Sequence, residues 1–170
     1  VNSTTITGDA ADVKTAYDAD TAGTIAGLGD EAVTISGASS AASDLNAING
    51  LTTGVVTVNS TTITGAAADA NTAYAANAAG TIAGLGNEAV TISDTTLGAS
   101  VLNTLNGYTT GVVNAATVTT LTGTAADANT SYAANTAGTI SGLGNEAVTL
   151  SDTTLGATVL NTLNDYTSGA

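Results

Sequence analysis

Residues 84–111 read GLGNEAVTISDTTLGASVLNTLNGYTTG, and residues 142–169 read GLGNEAVTLSDTTLGATVLNTLNDYTSG. The likeness extends upstream, so that 67–111 and 125–169 differ at only seven of 45 positions. A chain written twice in this way is an array, and its period decides its fold. The finer period comes from a Thr-aliphatic-Thr/Ser triplet centred on Ile6, Ile35, Ile63, Ile92, Leu121 and Leu150, with spacings of 28 or 29 residues. Tyr17, Tyr74 and Tyr132 recur at twice that interval, so two kinds of unit alternate in a 57- or 58-residue repeat. The chain reads as one array, with repeats at approximately 1–55, 56–112 and 113–170.

Composition shows why the period matters. Phe, Trp, Met, Cys, His, Pro, Arg and Gln are absent, and Val, Ile and Leu together supply 34 of 170 residues. That places the chain at the edge of the disordered class unless every large aliphatic falls at a regular inward position. The formal charge is −13 and Lys14 is the only Lys or Arg, which removes the basic stripe that nucleic acid or an anionic membrane surface would need. No apolar run reaches the roughly 20 residues that span a bilayer. Opening at Val1 and stopping in mid-motif, the sequence reads as a segment of something longer.

Within each unit a short β-branched stretch (GVVTV or GTIAGLG) leads to the triplet strand, after which the apolar spacing lengthens from two to about four. In DTTLGASVLNTLNG, Leu97, Val101, Leu102 and Leu105 fit one helical face, with Asp94 as N-cap and Gly107 as the stop. In the other kind of unit Ala70, Tyr74 and neighbouring alanines form a thinner stripe, which predicts a shorter or irregular helix. The expected fold class is α/β: a parallel strand-helix solenoid of six 28–29-residue units, in which equivalent triplets and Leu28, Leu85 and Leu143 stack into apolar ladders. The alternative is a parallel β-helix with short helices. Strands lie about 4.8 Å apart and packed helices about 8 to 10 Å, so alternating Leu-rich with Ala-rich helices relieves the crowding.

Three sets of residues are candidates for chemistry. Equivalent triplets, if stacked, would align Thr5 and Thr7, Thr34 and Ser36, Thr62 and Thr64, Thr91 and Ser93, Thr120 and Thr122, and Thr149 and Ser151 in two hydroxyl columns. A Thr-x-Thr lattice of that kind resembles the flat face of ice-binding β-solenoids, and the bland alternative is an ordinary solvated sheet. Recurring carboxylates at Glu31, Glu88, Glu146, Asp94 and Asp152 are oxygen donors of the type calcium takes, though their spacing matches no EF-hand loop. Asp12, Asp69 and Asp127 read as acids of a helix's first turn, and Asn103, Asn106, Asn161 and Asn164 as helix-end residues. With neither His nor Cys, and no acid pair in a setting that raises a pKa, no catalytic residue is assigned and no cofactor other than calcium is suggested.

The units VNAATVTTLTGTAADANT and GLGNEAVTLSDTTLGATVLNTL resemble the tandem repeats of giant secreted and cell-surface proteins of cyanobacteria, a group that includes motility-associated and adhesin-like members. The resemblance spans essentially the whole chain. It implies type I export, an extracellular or cell-surface location, and a role as filament, surface layer or adhesive stalk. Neighbouring repeats or head-to-tail copies are the partners it suggests. It transfers no functional residue.

Overall fold

The computed structural model describes residues 1–169. The first repeat contains β1 (Thr5–Gly8), α1 (Ala10–Thr21), β2 (Ala32–Ile35), β3 (Ser39–Ala41) and α2 (Ala42–Leu51). The second contains β4 (Val56–Val58), β5 (Thr62–Gly65), α3 (Ala67–Ala79), β6 (Ile82–Ala83), β7 (Ala89–Ile92), β8 (Thr96–Gly98) and α4 (Ala99–Tyr108). In the third come β9 (Val113–Asn114), β10 (Thr120–Gly123), α5 (Ala125–Ala137), β11 (Ile140–Ser141), β12 (Ala147–Leu150) and α6 (Ala157–Tyr166). Every strand pair is parallel, and each helix packs on the next in chain order.

Two expectations about the helices are corrected. The Ala-rich segments form the longer helices, of 12, 13 and 13 residues, whereas the Leu-rich ones have 10 each. Alanine carries the highest helix propensity, and Gly80 and Gly138 close α3 and α5 in the left-handed conformation, so a thin apolar stripe does not shorten them. The Leu-rich helix begins later than its periodicity suggests, because Thr96-Leu97-Gly98 is a strand rather than a first turn. Leu97 is thus buried from the sheet while Leu102 and Leu105 are buried from the helix, and Gly107 lies inside α4 instead of ending it.

The strand ladders also depart from equal-position stacking. Ile6 lies opposite Val33, Ile63 opposite Val90, and Leu121 opposite Val148, each two residues short of the next triplet centre. Ile35, Ile92 and Leu150 therefore face Gly8, Gly65 and Gly123. Shifting by two keeps every side chain on its own face, so the apolar alternation is preserved. Because each pairing returns to an earlier point of the unit, the ladders walk across the array and divide into three overlapping sheets, ordered β1-β2-β4-β6, β3-β5-β7-β9-β11 and β8-β10-β12. Leu143 is buried, but Leu28 and Leu85 are only half-buried at the margin of the core.

Polar groups tie each unit to the next. The amides of Asn46, Asn71 and Asn103 donate to the carbonyls of Asp69, Val101 and Asp127 in the following helix, at 2.9, 3.1 and 2.9 Å. Asn103 thus acts from the middle of α4, across the helix interface, and not as an end cap. A second amide closes the turn after each Ala-rich helix: Asn77 donates to the Leu85 carbonyl at 3.2 Å and accepts from its N–H at 3.1 Å, and Asn135 does the same with Leu143. The first repeat has Asp20 here, which accepts from Leu28 N–H but has no proton to donate. At Gly111 the chain passes so close to the preceding unit that a Cβ would stand 2.2 Å from the Glu88 carbonyl oxygen.

Three substitutions test this account by denaturant unfolding. Leu102 is fully buried and its counterpart Leu160 is 43% exposed. Leu102→Ala is expected to cost about 2–5 kcal/mol, and Leu160→Ala under about 1 kcal/mol; equal costs would contradict the packing. Asp20→Asn should stabilise the first repeat by about 0.5–1.5 kcal/mol by restoring the missing donor bond.

Candidate functional site

The recurring glutamates are the most unusual polar groups of the chain. Glu31, Glu88 and Glu146 are 1%, 2% and 1% exposed, although each follows a Gly-Leu-Gly turn that would ordinarily be wet. Each carboxylate accepts a hydroxyl bond from the tyrosine 14 residues earlier: Tyr17 at 3.2 Å, Tyr74 at 3.1 Å and Tyr132 at 3.1 Å. Each also accepts a backbone N–H from the turn, Gly29 and Gly86 at 2.7 Å and Gly144 at 2.8 Å. The glutamate's own carbonyl accepts from a threonine of the next unit, Thr52 and Thr109 at 2.7 Å and Thr167 at 3.1 Å. The node therefore joins an Ala-rich helix, the turn that follows it and the exit of the next helix. Tyr74 and Tyr132 are further stacked on Tyr108 and Tyr166 with ring centroids 5.8 Å apart.

Electrostatics follows from this geometry. Burial alone pushes the Glu31 carboxyl up, but N–H groups of Gly29, Asp30 and Glu31 with the Tyr17 hydroxyl favour the anion more strongly and hold it below the ordinary range. Burial, reinforced by the adjacent carboxylate, raises the tyrosines: Tyr132 is pushed up to about 12, against the opposing pull of the Thr167 hydroxyl, and Tyr17 and Tyr74 move in the same direction. A tyrosine bonded to a carboxylate has the geometry for proton exchange, but Tyr74 and Glu88 are each 2% exposed and offer a substrate no approach. The arrangement is a closed internal anchor.

Asp94 and Asp152 lie elsewhere. Their Oδ2 atoms accept from the first helical N–H groups of α3 and α5, Ala67 and Ala125, both at 2.8 Å. They cap the helix of the preceding unit rather than their own, because the strand at Thr96–Gly98 carries Asp94 away from the start of α4. Asp12, Asp69 and Asp127 do sit in the first turns of α1, α3 and α5. Among the described residues no three His, Cys, Asp or Glu side chains gather in a group that could hold a metal ion.

The threonine face is interrupted. Thr7, Thr34 and Thr57 form one column, Thr64 and Thr91 continue into Asn114, and Thr122 faces Thr149. Thr5, Thr62 and Thr120 lie opposite Ala32, Ala89 and Ala147, so the two-column lattice expected from equal stacking is absent. Ser36, Ser93 and Ser151 are exposed just beyond their strands. Two open grooves repeat with the sequence: one of 530 Å³ lined by 1–4 and 27–30, and one of 340 Å³ lined by 58–61, Gly84, Asn87 and Glu88. Their walls are mostly small polar side chains and backbone. The Tyr–Glu pairing was the signal sequence reading missed: both residues recur with the 57- or 58-residue period at a constant separation of 14.

The Glu31 carboxylate and the three buried tyrosines make stability depend on pH in two windows. Glu31 has a lowered folded pKa, so its contribution is present above the ordinary glutamate range and is lost as pH falls through the folded value. Tyrosines with raised folded values contribute fully below pH about 10, and that contribution is lost as pH rises through those folded values, about 12 for Tyr132. Thermal melts should show a neutral plateau with both limbs, and Tyr132→Phe should weaken the alkaline one; an unchanged alkaline limb would contradict the assignment. No family model, curated protein or solved structure matches this chain.

Proposed function

We propose that this chain is a structural segment of an extracellular or cell-surface repeat protein: a solenoid of six 28–29-residue units that supplies length to a filament, surface layer or adhesive stalk and carries no catalytic site. One observation carries the reading. A near-identical stretch is closed in the middle of the chain and open at its end, with Leu102 fully buried and Leu160 43% exposed. The surface of a unit is completed by the unit that follows, which is how an array grows without a redesigned core.

Other features agree with a passive scaffold. The asparagine bonds and aspartate caps repeat with the same partner positions from one repeat to the next, so they set spacing rather than build one specialised place. The carboxylates that suggested calcium are already engaged by N–H and O–H donors, and the hydroxyl columns that suggested ice are broken by alanine. The extracellular assignment rests on the resemblance of the repeats.

Chains of two, three, four and five repeats test the proposal by small-angle scattering and melting. Each added repeat contributes two strand steps, so the maximum dimension should grow by a constant ~10 Å along the strand side and up to ~20 Å along the helix side. Melting temperature should rise with repeat number and ignore both calcium and chelator. A maximum dimension that stops growing would refute the rod, and melting cured by calcium would turn the carboxylates into ligands.

A further inference from the structure

We infer that the boundary between the first and second repeats is a hinge, which opens along β3–β5 and α2–α3 while β2–β4 stays closed. The same kind of boundary occurs twice, where a Leu-rich unit meets the Ala-rich unit that follows it. At the first, β3 pairs with β5 and α2 packs on α3; at the second, β8 pairs with β10 and α4 packs on α5. Each boundary separates one repeat from the other two, and the helices that meet there are covered on their far sides as well, by α1 and α4 or by α3 and α6. A difference between the two boundaries therefore comes from the residues they hold and not from an end of the chain.

Three buried positions distinguish them. Leu97 and Val118 fill the second boundary from the sheet side. Their counterparts at the first are Ser40 and Ser60, also buried, whose hydroxyls bond each other at 2.7 Å while Ser60 donates to the Gly37 carbonyl. The pair is satisfied, but two hydroxymethyl groups bury less apolar surface than two branched aliphatics, so closing this side gains less. The 340 Å³ groove also runs past Ser60. Between the helices, Asn103 Oδ1 accepts from the Ser131 hydroxyl at 2.7 Å, whereas Asn46 Oδ1 is buried without a partner because Ala73 stands where Ser131 does. An unmatched acceptor is costly while the helices are closed and regains a bond to water when they part.

One strand pair runs the other way and decides where the pivot lies. β2 and β4 match three residues across the first boundary, with Val33, Ile35, Val56 and Val58 all buried, whereas β7 and β9 match only two across the second. The Asn59 N–H adds a bond to the Ile35 carbonyl at 3.0 Å. The first boundary is thus firm on one side and soft on the other, and it yields by local opening rather than by separation. Applied to the proposed scaffold, and resting on that reading, the hinge is the point at which the rod bends; the opening itself is a property of the packing.

Amide hydrogen exchange of the 170-residue chain tests this, because equivalent N–H groups report on both boundaries in one molecule. Thr61 and Thr62 donate to the Ala38 carbonyl, and Thr119 and Thr120 to that of Thr95. Protection factors at Thr61 and Thr62 should be lower than those at Thr119 and Thr120 by roughly tenfold or more, while Asn59, on the pivot side, stays protected. Ala73→Ser, a small change that gives Asn46 Oδ1 its donor, should narrow the difference, and adding Ser40→Leu and Ser60→Val should remove most of it. In the reverse exchange, Leu97→Ser with Val118→Ser should bring Thr119 and Thr120 to the protection of the first boundary. Equal protection at the two boundaries, loss of protection at Asn59 together with Thr61 and Thr62, or a difference that survives the three replacements each overturns the hinge. The last outcome is also what fraying from the start of the chain would give. None of these rates enters the length gained per repeat, so the hinge can fail while the scaffold reading stands.

Discussion

Everything in this molecule depends on units covering one another. A chain without Phe, Trp or Met draws its core out into one continuous cluster along its length, in which Ile35, Leu45, Ile63, Ile92, Leu102 and Leu121 are buried. They come from successive units, and each is kept dry by the adjacent unit that lies on it. At about 25 cal/mol per Å² of apolar surface buried, stability then accrues by interface rather than by unit. The contrast between Leu102 and Leu160 is the direct expression of that rule.

Apolar covering alone would leave neighbouring units free to slide, since aliphatic contacts are not directional. Direction comes from the buried glutamates. A carboxylate removed from water must be matched by donors, and Glu88 takes them from Tyr74, Gly86 and Asn87 while its carbonyl takes one from Thr109. Those donors come from a helix, a turn and the exit of the next helix, so their mutual positions are fixed at one residue, the first two by its carboxylate and the third by its carbonyl. Gly111 lets that exit approach: any side chain there would meet the Glu88 carbonyl. No basic partner is needed, which is consistent with a chain whose single lysine, Lys14, pairs with Asp18 at the surface.

Periodicity made the alternation of strands and helices legible, together with the two kinds of unit and the first-turn acids, because these are local patterns that repeat. What it hid was long-range. A register shift of two leaves the inside-outside pattern of TIT and AVTIS unchanged, so nothing in the sequence distinguishes Ile6 opposite Ile35 from Ile6 opposite Val33. Leu97 stands four residues before Val101 and so satisfies a helical period, yet it pairs as a strand because β10 offers an edge. The glutamates read as candidate calcium ligands for a similar reason. Their donors come partly from a tyrosine 14 residues away, and only the joint recurrence of the two residues could have shown it.

The divergent first repeat shows which of these features are constraints and which are embellishments. It keeps the anchor, with Tyr17, Glu31 and Thr52 in place, and it keeps the close-approach glycine as Gly54. It lacks the stacked tyrosine, having Leu51 where Tyr108 and Tyr166 stand, and it has Asp20 in place of the turn-closing asparagine. At the start of its Ala-rich helix the carboxylate has changed sides. Asp9 stands where Ala66 and Thr124 are, while Gly37 replaces Asp94 and Asp152. A side chain at 37 would lie 2.7 Å from the Asp9 carboxylate, so one acid occupies the space that the other vacates. Negative charge at the positive end of the helix dipole is retained although the residue supplying it lies 28 positions away in the chain. What persists through divergence is thus an electrostatic condition at a place in the array, and it can be met from either of the two units that meet there.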